Sequence, residues 1–211
     1  MDKHPPYLRE ALDACHSCAL CGRDYGKPDR PPAWRKPIQK VHAEGSFPAQ
    51  VVLIGEAPGE QEDLEGRPFV GKSGEFLREL LAVSGLDQAC LLITNTVRCR
   101  PPGNRKPTPE EKHSCWTWLD IDLTAADPDY IICLGDSAMS TFFPGGKVKG
   151  KVADWFGKTL PLDSRAIGCY HPAARSASQR GMILPLFKDI TRRLGYDVPP
   201  QEEVNYEIRE V

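Results

Sequence analysis

The sequence predicts a three-layer α/β/α domain built on a central, mainly parallel four-stranded sheet. Three observations carry the prediction. Short, unbroken apolar runs end at a glycine or a polar residue, as strands buried on both faces do. These runs alternate with segments of helical periodicity, the pattern of a parallel sheet covered by helices. At 211 residues the chain suits one α/β domain with small appendages.

Residues 5–14 read as a short helix leading into Cys15-His16-Ser17-Cys18-Ala19-Leu20-Cys21. Residues 22–49 hold five prolines and little periodicity, and read as a loop or wrapping arm. The first strand is Val51-Val52-Leu53-Ile54, stopping at Gly55. A helix begins near Ser73, the expected N-cap, with Phe76, Leu77, Leu80 and Leu81 on one face. The second strand is Leu91-Leu92-Ile93-Thr94. Thr108-Pro109-Glu110-Glu111 then opens a helix with a capping box and a proline at its first position. Tyr130-Ile131-Ile132-Cys133-Leu134 is the third strand, ended by Gly135. Arg165-Ala166-Ile167-Gly168-Cys169 is the fourth, followed by His171-Pro172. A last helix over 182–194 places Ile183, Phe187, Ile190 and Leu194 at helical spacing. One domain is expected over 1–195, with 196–211 as an acidic extension.

A hydrophobic fraction of 40% supplies one core and excludes wholesale disorder. The start, Met1-Asp2-Lys3-His4, is polar and no stretch of eighteen apolar residues follows, so a cytosolic protein without a membrane partner is expected. The net charge is −2, but residues 197–211 carry −4 by themselves, leaving +2 on the rest. Arg98, Arg100, Arg105 and Lys106 form a local basic run that suits either a nucleic-acid contact or a solvated loop. Eight cysteines in a reducing compartment do not suggest disulfides. Cys133 and Cys169 lie inside apolar runs and read as small buried hydrophobes.

In a parallel sheet, ligands bind at the carboxyl ends of the strands. Here those ends carry Gly55-Glu56-Ala57-Pro58-Gly59, Asn95, Gly135-Asp136-Ser137 and His171-Pro172. Each has a plain structural reading as well as a functional one. The glycines serve a strand-to-helix turn or a close backbone approach to a ligand. Asn95 ends a strand as an Asx-type cap, or offers one donor and one acceptor to a ligand.

Four features together resemble the family 4 uracil-DNA glycosylases: the segment Gly55 to Asp63 continuing through Gly66-Arg67-Pro68-Phe69-Val70-Gly71; Thr94-Asn95-Thr96-Val97-Arg98-Cys99-Arg100-Pro101-Pro102; His171-Pro172-Ala173-Ala174; and the cysteine set. The resemblance covers about residues 12–195 and is weakest over 22–49. It implies a hydrolase that flips uracil out of single- or double-stranded DNA and leaves an abasic site, working as a monomer in the cytoplasm with the nucleoid.

Residue by residue, the resemblance implies that Phe69 stacks on the base, though a loop phenylalanine is otherwise more often a plug for the core. Asn95 reads the uracil edge, and Ala57 and Gly59 line the base site. His171 sits near O2 and stabilises the anionic leaving group. Glu56 belongs to the uracil and water site, with Glu62 and Asp63 supporting; which carboxylate acts as base stays open. Arg100 and Arg105 face DNA.

The resemblance also assigns Cys15, Cys18, Cys99 and Cys115 as ligands of a [4Fe-4S] cluster, with tetrahedral zinc the rival and Cys21 a bystander. At 175 the family usually places a wedging leucine; Arg175 would instead fill the vacated base position or grip phosphate. A related branch captures uracil-DNA covalently through a loop histidine, and Gly103-Asn104-Arg105-Lys106-Pro107-Thr108 has none, which favours turnover. A glycosylase for another modified base and a catalytically silent cluster-bearing DNA-binding module are the alternative readings.

Overall fold

Alternate residues along each strand face opposite sides of the sheet, and in this chain both sides are buried. A computed structural model of the chain describes residues 6–21, 40–174 and 176–200. Its strands are β1 (Glu44–Gly45), β2 (Val51–Gly55), β3 (Leu91–Asn95), β4 (Tyr130–Leu134), β5 (Thr159–Leu160) and β6 (Asp163–Cys169), in the order β1-β3-β2-β4-β6-β5. The helices are α1 (Pro6–Asp13), α2 (Glu60–Glu65), α3 (Lys72–Ser84), α4 (Pro109–Ala126), α5 (Asp136–Ser140), α6 (Val152–Trp155), α7 (Ala177–Gly181) and α8 (Ile183–Arg193).

The four expected strands are β2, β3, β4 and β6, all parallel to their neighbours. The sheet nevertheless has six strands rather than four, because β1 and β5 add to its two edges antiparallel. Each of the added strands has two residues, too short to show a hydrophobic period. Pairing with a neighbour defines them, and pairing is not a local property.

Val51, Leu53, Ile132, Leu134, Ile167 and Cys169 point to one face, where Leu77, Leu80 and Leu81 of α3 and Ile183, Phe187 and Ile190 of α8 cover them. Val52, Ile54, Ile131, Cys133 and Ala166 point to the other, against Leu119, Leu123 and Ala126 of α4 and Ala138 and Met139 of α5. Burial of each large aliphatic side chain contributes roughly 1.5–3 kcal/mol. Cys133 and Cys169 are wholly buried in these layers, in keeping with the hydrophobe reading.

Thr108 caps α4 as the motif predicts: its hydroxyl accepts the Glu111 N–H (3.2 Å), and the Glu111 carboxylate accepts the Thr108 N–H (2.7 Å). The cap of α3 differs from expectation, being Gly71 rather than Ser73. The chain reaches α3 through an extended Gly71 whose N–H is taken by Glu62, so Ser73 falls inside the first turn. After α8, Tyr196 returns to the foot of the sheet and donates its hydroxyl to Gln50 Oε1.

From β2 the chain moves to β3 on one side and later to β4 on the other. In parallel sheets such a reversal is where ligands bind, at the carboxyl ends of the strands.

Candidate functional site

At the carboxyl end of β2, Gly55 pairs in register with Asn95 of β3. A methyl group on Gly55 would collide with Asn95 Oδ1 and come within 2.6 Å of Phe69 Cζ. Glycine is therefore required here by the close approach of an amide and an aromatic ring. Asn95 is buried, at 4% exposure, yet its carboxamide makes no hydrogen bond to any described residue. The Asx-cap reading does not apply.

Phe69 has φ +53°, a left-handed conformation that a bulky residue rarely adopts. Its loop is held from several directions. Glu62 accepts the N–H groups of Gly59 (3.0 Å), Val70 (2.9 Å) and Gly71 (2.8 Å), tying the loop after β2 to the loop before α3. Arg78 of α3 donates to the carbonyls of Pro68 and Phe69, both at 3.3 Å. Arg78 and Arg67 also pair with Glu44 on β1. Gly74 lets the Phe69 backbone lie directly against α3, since a Cβ there would be 2.7 Å from Phe69 Cα. Strain of this kind persists where the surroundings over-determine it.

His171 follows β6, and its ring lies 6.2 Å from that of Phe69 at an interplanar angle of 29°. Gly135, at φ +87°, leaves room for it beside the end of β4. Burial holds the His171 pKa below its usual value, favouring the neutral ring. The Ala173 N–H donates to Nδ1 (3.0 Å), which places the single ring proton on Nε2. Nε2–H is thus the donor left for a ligand.

The Glu56 carboxylate has no hydrogen-bond partner among the described residues, while its backbone carbonyl accepts the Thr96 hydroxyl. Glu62 is fully engaged as the clamp. Of the expected base-site residues, Glu56, Phe69, Asn95 and His171 are thus gathered at one sheet edge, with Ala57 and Gly59 in the turn between them. The Gly59 N–H is taken by Glu62, so a ligand meets Gly59 only through its Cα and carbonyl.

The basic run is not a uniform surface patch. Arg98 is 2% exposed, ion-paired with Asp122 and bonded to the Thr94 hydroxyl, so it belongs to the interior. Arg100 donates to Asn104 and pairs with Glu60 at 3.5 Å. Arg105 makes a two-pronged contact with Glu111, and Lys106 lies 3.6 Å from Asp136. Arg105 and Lys106 reach the surface already partnered, and Arg100 is half-buried and partnered as well. Arg175 lies outside the described residues.

Beneath the Asn95 strand end, Cys15, Cys18, Cys21, Cys99 and Cys115 line one cavity with Leu20, Val97 and Trp118. Burial pushes the Cys18 thiol up to about 11, and the neighbouring Cys21 adds to the effect. Cys115 accepts the Arg98 N–H (3.3 Å), and Trp118 donates to Cys15 (3.4 Å). Cys21 does not stand apart: its sulfur is 3.7 Å from that of Cys18 and 3.9 Å from that of Cys99. Among the described residues, no three cysteine, histidine or carboxylate side chains are arranged as ligands of one bare ion. Ala57 packs against the cluster of Leu20, Val97, Cys99 and Cys115.

Sequence reading missed the clamp geometry of Glu62, the bracing by Arg78 and the need for Gly74. Only the capping-type spacing of Gly59 and Glu62 could have signalled any of them.

Residues 42–195 match the model of the uracil DNA glycosylase superfamily. The chain is 42% identical over 138 residues to the type-4 uracil-DNA glycosylase of Thermotoga maritima, covering 63% of this chain and 69% of that one. It is 44% identical over 144 residues to the Archaeoglobus fulgidus type-4 enzyme, covering 64% and 70%. The type-4 enzyme of Pyrobaculum aerophilum is 37% identical over 184 residues, covering 82% and 86%. No helix among the described residues is long and apolar enough to cross a membrane.

Proposed function

The chain belongs to the uracil DNA glycosylase superfamily, and we propose that it excises uracil from DNA by hydrolysing the N-glycosidic bond to leave an abasic site. The observation that carries this reading is the carboxamide of Asn95, which hydrogen-bonds to no described residue and lies at the strand end beside the ring of Phe69. A uracil flipped from the stack lays its face on Phe69. Asn95 donates to O4 and accepts N3–H. Cytosine reverses both demands, with a donor at N4 and an acceptor at N3, and is refused.

As the bond to C1′ breaks, its electron pair leaves with the base and negative charge grows on O2. The neutral His171 donates Nε2–H to that oxygen; removing one such preorganised donor costs about 10²–10³ in rate. Glu56 orients the water whose oxygen adds to C1′ and faces the positive charge developing on the sugar. Glu62 acts by position, keeping Phe69 over the base. Arg100 and Arg105, which pair with Glu60 and Glu111, face the DNA, and Arg175 fills the vacated base position or grips phosphate. Every residue invoked comes from one chain, so a monomer suffices, acting in the cytoplasm with the nucleoid.

Cys15, Cys18, Cys99 and Cys115 are proposed to hold a [4Fe-4S] cluster. When bound, it would supply cross-links between α1, the β3 end and α4 and take no part in the reaction. The donor set fits: thiols from three parts of the chain line one cavity. Four thiols would also satisfy tetrahedral zinc, which is the rival occupant.

The test uses single- and double-stranded oligonucleotides containing uracil, hypoxanthine or hydroxymethyluracil. Alkali-labile sites at uracil alone are expected. Excision only of another base, or of none, would overturn the reading. Metal analysis should find about four irons per chain; one zinc and no iron would remove the cluster.

A further inference from the structure

The third cysteine of Cys15-x2-Cys18-x2-Cys21 has no part in the four-ligand set, yet it sits among the ligands. A turn closed by the Cys21 N–H to the Cys18 carbonyl (3.1 Å) brings residues 18 and 21 side by side. The Cys21 sulfur then lies 3.7 Å from that of Cys18 and 3.9 Å from that of Cys99, inside the same cavity. The remaining cysteines are elsewhere: Cys133 and Cys169 are buried in strands, and Cys90 donates to the Asp87 carbonyl.

We propose that Cys21 is a fifth ligating thiol of this pocket, able to replace Cys18 or Cys99 on the iron–sulfur group. The inference rests on the cluster reading above. Loss of one ligand leaves an iron with an open position. The Cys21 sulfur lies 3.7 Å and 3.9 Å from the two sulfur positions that could be vacated, so rotation of its side chain with a small shift of the turn brings it to the open iron. Binding releases the thiol proton to solvent and leaves the iron oxidation state unchanged, so no oxidant or reductant is needed. The pocket thus holds a spare donor beside both Cys18 and Cys99.

The experiment purifies wild type, Cys21→Ala, Cys18→Ala, Cys99→Ala and Cys18→Ala/Cys21→Ala without oxygen. It measures iron and sulfide per chain, and the alkylation of each cysteine in the folded protein by mass spectrometry. Wild type and Cys21→Ala should carry the full complement, with Cys21 of the wild type open to alkylation. Cys18→Ala should keep at least about half of its iron and the double variant less than about a tenth. Cys21 should become protected from alkylation in Cys18→Ala. If Cys18→Ala folds poorly, Cys18→Ser and Cys99→Ala make the same comparison.

Equal loss in Cys18→Ala and the double variant, with Cys21 still reactive, would overturn the inference. So would an empty Cys21→Ala, which would make Cys21 an obligatory ligand. A wild type without iron would instead overturn the cluster reading itself, and is distinguishable from both.

Discussion

Asn95 and His171 show how much one side chain's surroundings decide. Both are polar residues at strand ends, a common and usually unremarkable position. At Asn95, a strand-end amide with no hydrogen bond to a described residue is, on the proposed function, the reader of the base's hydrogen-bond pattern. Asn95→Asp should lower kcat/KM on uracil by about 2–4 kcal/mol of transition-state stabilisation, because an ionised carboxylate offers O4 no donor. The same change should admit some cytosine, whose N4 can donate to it. Steady-state kinetics on uracil and cytosine oligonucleotides check both, and an unchanged value on uracil would reduce Asn95 to the end of a strand. At His171, one backbone contact at Nδ1 selects the tautomer.

Between residue and fold lies the segment from β2 to α3, which works as one element. Glu62 holds three N–H groups of it, Arg78 two carbonyls, and Gly74 the contact with the helix. In an exposed helix, Gly→Ala would add about 1 kcal/mol of stability. Gly74→Ala should do the opposite, since the added methyl meets Phe69 backbone rather than a flexible side-chain tip. A net loss of about 1–3 kcal/mol is expected from this overpacking, with a fall in kcat as Phe69 shifts. Denaturant unfolding and kinetics test it; a stabilised, fully active variant would show that the loop adapts freely. The buried Arg98–Asp122 pair braces the next element, β3 against α4. Removing Arg98 alone would leave Asp122 charged and buried, a loss of about 3–5 kcal/mol in comparable cases.

Across the whole molecule, pH acts through groups that folding keeps neutral. Burial is the leading cause of the lowered pKa at His171 and at His42, where the Asp13 contact opposes it. Between the unfolded value near 6.5 and the lowered folded values, the unfolded chain binds more protons. Stability from these groups is therefore full above about pH 6.5 and is lost as pH falls toward the folded pKa. Thermal melts between pH 5 and 8 should show this decline, and His171→Gln should make it shallower. An identical slope in the variant would mean that His171 ionises as freely in the folded chain as in the unfolded one.

The four long strands, the Thr108 cap and the helices bearing Leu77 and Phe187 were legible in the sequence, because period, capping and burial are written locally. Glu56, Asn95 and His171 were legible as residues at recognisable strand ends, whereas Phe69 comes from the loop between α2 and α3 and only folding brings it to them. The two edge strands were not legible, because two residues carry no period and exist only through pairing. The basic run was legible as charge but not as surface: only packing could send Arg98 inward to Asp122 while Arg100 and Arg105 went out. Glu62 reads in sequence as one carboxylate among several, and Cys21 as a cysteine beyond the set of four. Each acquires its role from groups brought to it by folding, three backbone N–H donors in one case and two sulfurs in the other. Chemistry that one residue type supplies can be read along the chain, whereas chemistry that depends on which distant groups converge is decided by the tertiary structure.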